Sequence, residues 1–252
     1  MELIAAFRSR SELLFWFTVV MLVMTVVTLI LTQTTSVRVG GANAWWKPFK
    51  FVVSTALYSG TVLWLLRFLP DSRSTWLEWV IVLSLGFEIV YIVWKAAQGE
   101  ASHFNVSTPF SRFMWSMMAS MATVATLTAM VLFFWFWTDE VAQLPNHLLW
   151  SIRLGLVLFV VFAFEGFAMG GRMAHTVGAP DGGEGLPVTG WSTRHGDLRI
   201  AHFVGMHALQ VLPVLAHFVL KSTVFVVIAA IAYAALAVWV LVNALAGKPL
   251  LG

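Results

Sequence analysis

Apolar residues run along this chain in seven long blocks, each ended by a polar stretch. Crossing a bilayer takes about 20 mostly apolar residues. Seven segments reach that length: Leu13–Leu31, Phe49–Leu69, Trp76–Ala97, Phe113–Trp137, Leu148–Gly170, Leu198–Leu220 and Val224–Ala246. The pattern predicts a transmembrane helix for each. No soluble domain, low-complexity tract or clear internal repeat interrupts it. The chain is therefore expected to be one all-α integral membrane bundle of seven transmembrane helices over residues 1–252. The first block is far longer than the apolar core of a signal peptide and no small-residue cleavage site follows it, so a spanning helix is expected there.

The stretches between the blocks differ in kind. The second, fourth and sixth loops are short and plain: "PDSRST", "TDEVAQLPN" and "KST". The first, third and fifth are richer: "TTSVRVGGANAWWKPFK", "QGEASHFNVSTPFSR" and "RMAHTVGAPDGGEGLPVTGWSTRHGD". Seven crossings put the odd loops and the C-terminus on one side. Glu88 lies nine residues before the end of the third block, about 13 Å at 1.5 Å per residue. Glu165 lies near the same-side end of the fifth block, Lys50 in the expected first turn of the second, and His202 and His207 in the first half of the sixth. Polar side chains inside a membrane are costly and tend to be functional. Their sorting to one half predicts a polar cavity beneath loops one, three and five.

Composition agrees. The chain is 60% hydrophobic and 11% charged, against about 25% charged for soluble domains, and its mean hydropathy is +0.85. Without cysteine, disulfides, thiolate metal sites and iron–sulfur clusters are excluded. A net charge of +3 spread over loops argues against nucleic-acid binding. Nine of the 15 Lys and Arg fall on the odd-loop side, which the positive-inside rule places in the cytoplasm. A bacterial inner membrane is the expected location.

The sixth block, "LRIAHFVGMHALQVLPVLAHF", carries the densest chemistry. His202 and His207 are five residues apart and project about 140° from one another. A chelating pair on one helix prefers a spacing of four, so each is expected to meet a different neighbour. Gln210 falls between them. Pro213 removes the usual donor to the Leu209 carbonyl and predicts a kink. His103 in "GEASHFN" and His175 in "GRMAHTVG" each follow a block on the rich side. With His202 and His207 they make four imidazoles, a ligand type suited to zinc, iron, copper or haem. Ordinary interhelical hydrogen bonding is the competing reading of the two membrane histidines. Glu88 and Glu165 fit as ligands, as groups orienting a histidine, or as proton carriers. Lys50 is expected to pair with a carboxylate such as Glu88. Asp197 is placed as a helix N-cap, with Arg199 in the first turn, able to reach a loop carboxylate or an anionic ligand. His147, His217 and Arg153 read as interfacial, and His195 as either surface or site.

Four blocks, "GANAWWKPFKF", "SHFN", "EGFAMGGRMAHTVGAPDGGEGLP" and "GDLRIAHFVGMHALQVLP", together resemble a family of bacterial polytopic membrane proteins of no established activity. The resemblance runs from Gly41 to Pro213. It marks Lys50, His103, Asn105, Glu165, His175, Asp197, Arg199, His202, His207 and Gln210, and implies no reaction. Two other seven-helix patterns fail. Ceramidase and adiponectin-receptor hydrolases carry an H-x-x-x-H pair in the last helix, and microbial rhodopsins a lysine there. The seventh block has neither.

Three functions follow as expectations. The first is a membrane oxidoreductase using haem b or a transition metal (Zn, Fe or Cu), acting on a lipophilic or quinone-like molecule. His103, His175, His202 and His207 would be its ligands, Glu88, Glu165, Lys50 and Gln210 its chemistry, and Asn105, Asp197 and Arg199 the ligand-binding cap. The second is a proton- or ion-coupled transporter or channel using the same Glu and His cluster. The third is a sensor or assembly factor. The lipid bilayer is the expected partner of all three, and each is compatible with an oligomer.

Overall fold

The computed structural model describes residues 2–70, 74–138, 141 and 144–250. Parts of the second and fourth loops lie outside the described residues. Among those described, seven helices are long and apolar enough to cross a membrane. They are α2 (Glu12–Thr34), α3 (Trp46–Leu66), α4 (Thr75–Gln98), α5 (Pro109–Thr138), α6 (Asn146–Arg172), α7 (Leu198–Phe218) and α8 (Thr223–Leu245). A short helix, α1 (Glu2–Arg10), precedes them and was not foreseen. Ser11 separates it from α2: its backbone is extended and its hydroxyl accepts the Leu14 N–H at 3.1 Å, a standard N-cap. Contacts divide the chain into two compact units, residues 1–128 and 129–252, with α5 passing from one to the other.

In the first unit, α2, α3 and α4 pack around Met21, Val52, Ala56 and Ile89. The first loop folds into a two-residue hairpin. Strands β1 (Arg38–Val39) and β2 (Ala42–Asn43) pair across Gly40 and Gly41, both at positive φ, as such a turn requires. Asn43 then links two helices. Its amide donates to the carbonyls of Thr32 and Thr35 at the end of α2, and its oxygen accepts the Trp45 N–H at 2.9 Å. This starts α3 at Trp46, three residues earlier than the apolar pattern predicts. Lys47 and Pro48 therefore occupy the first turn and Lys50 the second. Proline is tolerated there because first-turn N–H groups have no helical acceptor. Loops one and three meet at one end of this unit, where Val37 lies against Gly99 and the Trp45 and Ala96 cluster.

In the second unit, α6 and α7 approach closely through glycine. A Cβ on Gly205 would fall 1.9 Å from the Phe162 ring, and one on Gly155 would fall 3.0 Å from the backbone of Ala208 and Leu209. Close backbone approach through small residues is a common way to join membrane helices. The fifth loop is ordered by β3 (Thr176–Val177) pairing antiparallel with β4 (Gly196–Asp197). Gly196 sits on the Ala244 carbonyl at the end of α8, with no room for a side chain. Helix α7 continues through Pro213 to Phe218.

Two arginines on the plain side cap helix ends. Arg10 donates to Leu66 O, at the end of α3, at 2.7 Å. Arg153, expected only to snorkel, donates to Phe136 O in the last turn of α5 at 2.9 Å and lies 4.6 Å over the Trp137 ring. Terminal helix carbonyls have no helical donor, and a cation there also meets the negative end of the helix dipole.

Candidate functional site

Glu165 on α6 faces His202 on α7. Glu165 lies one helical turn beyond Phe162, the residue that fills the space left by Gly205, and directly before Gly166. A Cβ on Gly166 would come within 3.1 Å of the His202 ring, so this glycine makes room for the imidazole. The Glu165 side chain is 7% exposed, and His202 Nδ1 stands 3.5 Å from Glu165 Oε2. That separation is within ion-pair reach, but the two atoms do not form a hydrogen bond. Both carboxylate oxygens and this nitrogen are buried without a hydrogen-bond partner among the described residues. An unmade bond at a buried polar atom costs about 1–3 kcal/mol. Three such atoms at one point are a poor way to hold two helices together and a good way to hold a proton in transit. With the proton on the imidazole the two groups are an ion pair, and with it on the carboxyl they are neutral.

His207, one and a half turns further along α7, looks elsewhere, as the five-residue spacing predicts. Its Nδ1 lies 3.2 Å from Gln210 Oε1, and its ring makes an edge contact with Phe203 at 4.1 Å between centroids. Trp191 of the fifth loop covers Phe203 in turn. Gln210 thus helps to orient the imidazole.

The fifth loop is tied down by carboxylates. Asp197 is 1% exposed. As the N-cap of α7 it accepts the Arg199 N–H at 3.1 Å, and it also receives the Arg199 guanidinium at 2.6 and 2.9 Å and the Ser192 N–H at 2.9 Å. Burial alone would raise its pKa. The hydrogen bonds and charge of Arg199, helped by the Ser192 N–H and His175, prevail and hold it below the usual aspartate value. His175 Nδ1 lies 3.3 Å from Asp181 and 3.9 Å from Asp197. Asp181, which the sequence reading passed over, also accepts the His175 and Thr176 N–H groups. His175, Asp197 and Arg199 therefore anchor the loop to the start of α7.

The first unit has buried carboxylates of its own. Glu88, on α4, is 7% exposed, and its Oε1 has no hydrogen-bond partner among the described residues. Lys47, in the first turn of α3, lies within electrostatic reach of both Glu88 and His103. His103 is caged by rings, with centroids 5.3 Å from Phe51 and 5.5 Å from Trp115, and Ser102 Oγ lies 3.2 Å from its Nδ1. Burial first, and then the charge of Lys47, hold its pKa well below the ordinary histidine value, so this imidazole is neutral at pH 7. The next residue, Phe104, has φ +56, a left-handed backbone that suits few side chains. Asn105 is a loop staple: it donates to Ala101 O and accepts from Ser107.

The expectation that ionisable groups sort to one half holds for Glu88 and Lys95 in α4 but not for Glu78. Glu78 is buried in the first turn of the same helix, 17 residues before Lys95 and about 26 Å away. Among the described residues, no three His, Asp or Glu side chains are gathered so as to hold a metal ion. Lys47, Lys95, Asp181, Gly166 and Gly205 went unremarked in the sequence. Of these, only the 11-residue spacing of Gly155 and Gly166, which returns to the same helix face, was a readable signal. No family model matches this chain, and no curated protein or solved structure is similar to it.

Proposed function

We propose that this protein is a membrane transporter or channel that conducts protons, with the Glu165 and His202 pair as its proton-exchange site. The observation that carries the reading is the 3.5 Å approach of a buried carboxylate to a buried imidazole nitrogen, neither with a hydrogen bond among the described residues. Intramembrane carboxylates and histidines are the recurring elements of proton relays. The pair can take a proton and release it with little rearrangement, since the acceptor is already in place.

The test is proton flux. In vesicles carrying the purified protein and an internal pH dye, an imposed pH gradient is expected to collapse faster than in protein-free vesicles. Glu165→Gln and His202→Gln should each return the rate to the protein-free level. Glu184→Gln, in an exposed ion pair with Arg194, should leave it unchanged. Wild-type flux equal to that of empty vesicles overturns the proposal.

A second reading, the haem- or metal-dependent oxidoreductase, draws on His207. In the tautomer that donates from Nδ1 to Gln210 Oε1, 3.2 Å away, Nε2 keeps its lone pair, the arrangement of a ligating imidazole. A Soret band in the purified protein that vanishes in His207→Ala would favour it, and a colourless, metal-free and well-folded preparation would count against it.

A further inference from the structure

The first unit contains a second set of unmet polar atoms that the Glu165 and His202 pair does not use. Two lie on one face of α4: Glu88 Oε1 and the Tyr91 hydroxyl, both buried and both without a hydrogen-bond partner among the described residues. Tyr91 is 2% exposed and packed among Ile92, Met118, Phe51, Phe87 and Met114. A tyrosine hydroxyl in such surroundings normally finds a partner. Two unsatisfied groups one turn apart on one helix face are groups whose missing hydrogen bonds a water or a ligand would supply.

The same face continues outward. Glu88, Tyr91 and Lys95 are spaced by three and four residues, which keeps all three within about 60° of one helix face over a rise of about 10 Å. Lys95 is 5% exposed; its Nζ lies 5.9 Å from the Tyr91 ring centroid and 2.6 Å from Glu100 Oε2. Lys95 and Glu100 in turn line a surface cleft of about 380 Å³, together with Trp94, Gln98, Asn105 and Ser111. That volume has room for several waters, each taking about 30 Å³. A polar stripe therefore runs from a buried carboxylate to solvent at the end where loops one and three meet.

We infer that Glu88, Tyr91, Lys95 and Glu100 form a proton-access route joining Glu88 to the loop-side cleft. A proton from water in the cleft passes along Lys95 and Glu100 to the Tyr91 hydroxyl as that hydroxyl gives its own to Glu88 through intervening water. One proton is transferred and every intermediate group regains its original state. Charged groups that act on the route include Lys47, which reaches Glu88 from α3, and Lys95 and Glu100, which reach Tyr91. This inference rests on the first unit alone and survives if the Glu165 reading fails.

Hydrogen–deuterium exchange of the Glu88 carboxylic acid tests it. The full-length protein is transferred to acidic deuterated buffer in detergent micelles, and the infrared band lost in Glu88→Gln is followed in time. Tyr91→Phe should slow exchange of that band by about tenfold or more, the rate factor expected when one relay hydrogen bond is lost. Lys95→Met should slow it less, and Glu165→Gln should leave it unchanged. Unchanged exchange in Tyr91→Phe overturns the route, and so does equal slowing by Glu165→Gln. Tyr91→Phe removes one oxygen from a packed ring and is expected to fold. Proton flux across vesicles plays no part in the readout, so failure here and failure of the transport reading are told apart.

Discussion

Each unit buries a carboxylate inside a membrane helix, and the two are housed differently. The first unit places Glu88 within electrostatic reach of a lysine from α3 and one turn from Tyr91, whose hydroxyl is also unmet among the described residues. Its helices keep ordinary distances, and a Cβ on Gly60 of α3 would meet Thr18 at a comfortable 3.6 Å. The second unit makes room by thinning the helices. Gly155, Gly166 and Gly205 bring α6 and α7 together until Glu165 and His202 face one another across the seam. A site built from side chains tolerates small changes in helix spacing. A site built on backbone approach does not, because nothing flexible lies between the helices to absorb them.

The largest expected effect breaks that contrast at its firmest point. Gly205→Ala puts a methyl into the Phe162 ring and should cost about 3 kcal/mol, as overpacking does. Gly60→Ala should be neutral or stabilise by up to about 1 kcal/mol through helix propensity. Unfolding in mixed micelles compares the two. Equal costs would mean that the units are packed alike.

A smaller effect separates the loops by pH. His103 is held below its ordinary value, so the folded state binds fewer protons than the unfolded state at pH values just below about 6.5, and its loop loses stability as pH falls through that range. Asp197 is also depressed, so its contribution is complete above about pH 3.9 and is lost as pH falls toward its folded value. Limited proteolysis from pH 7 to pH 5 should therefore open the third loop before the fifth. His103→Phe should remove the early opening, and simultaneous opening would remove the distinction.

The smallest structural change is the most local. Gly166→Ala brings a methyl within 3.1 Å of the His202 ring, so the imidazole must shift by a few tenths of an ångström. Proton flux should fall several-fold while stability changes by less than about 1 kcal/mol. Unchanged flux would show that the position of His202 does not matter.

The seven spans, the all-α class and the N-cap at Asp197 were legible in the sequence. Each rests on local physics: a bilayer sets the length of an apolar run, and a carboxylate beside the first turn of a helix caps it. The start of α3 was misplaced because Asn43, a residue of the hairpin, turns the chain into the helix before the apolar block begins. The candidate sites were legible only as a list of costly residues, Glu88, Glu165, His103, His175, His202 and His207 among them. Their partners were not. Helical spacing says that His202 and His207 point apart, but not that one meets Glu165 and the other Gln210. It places Lys47 and Lys50 on one helix, but does not show that the charge of Lys47 reaches both Glu88 and His103. Periodicity fixes a direction around one helix axis. Contact also depends on how closely two axes approach, and here that was decided by glycines, which carry no chemistry to draw attention to them.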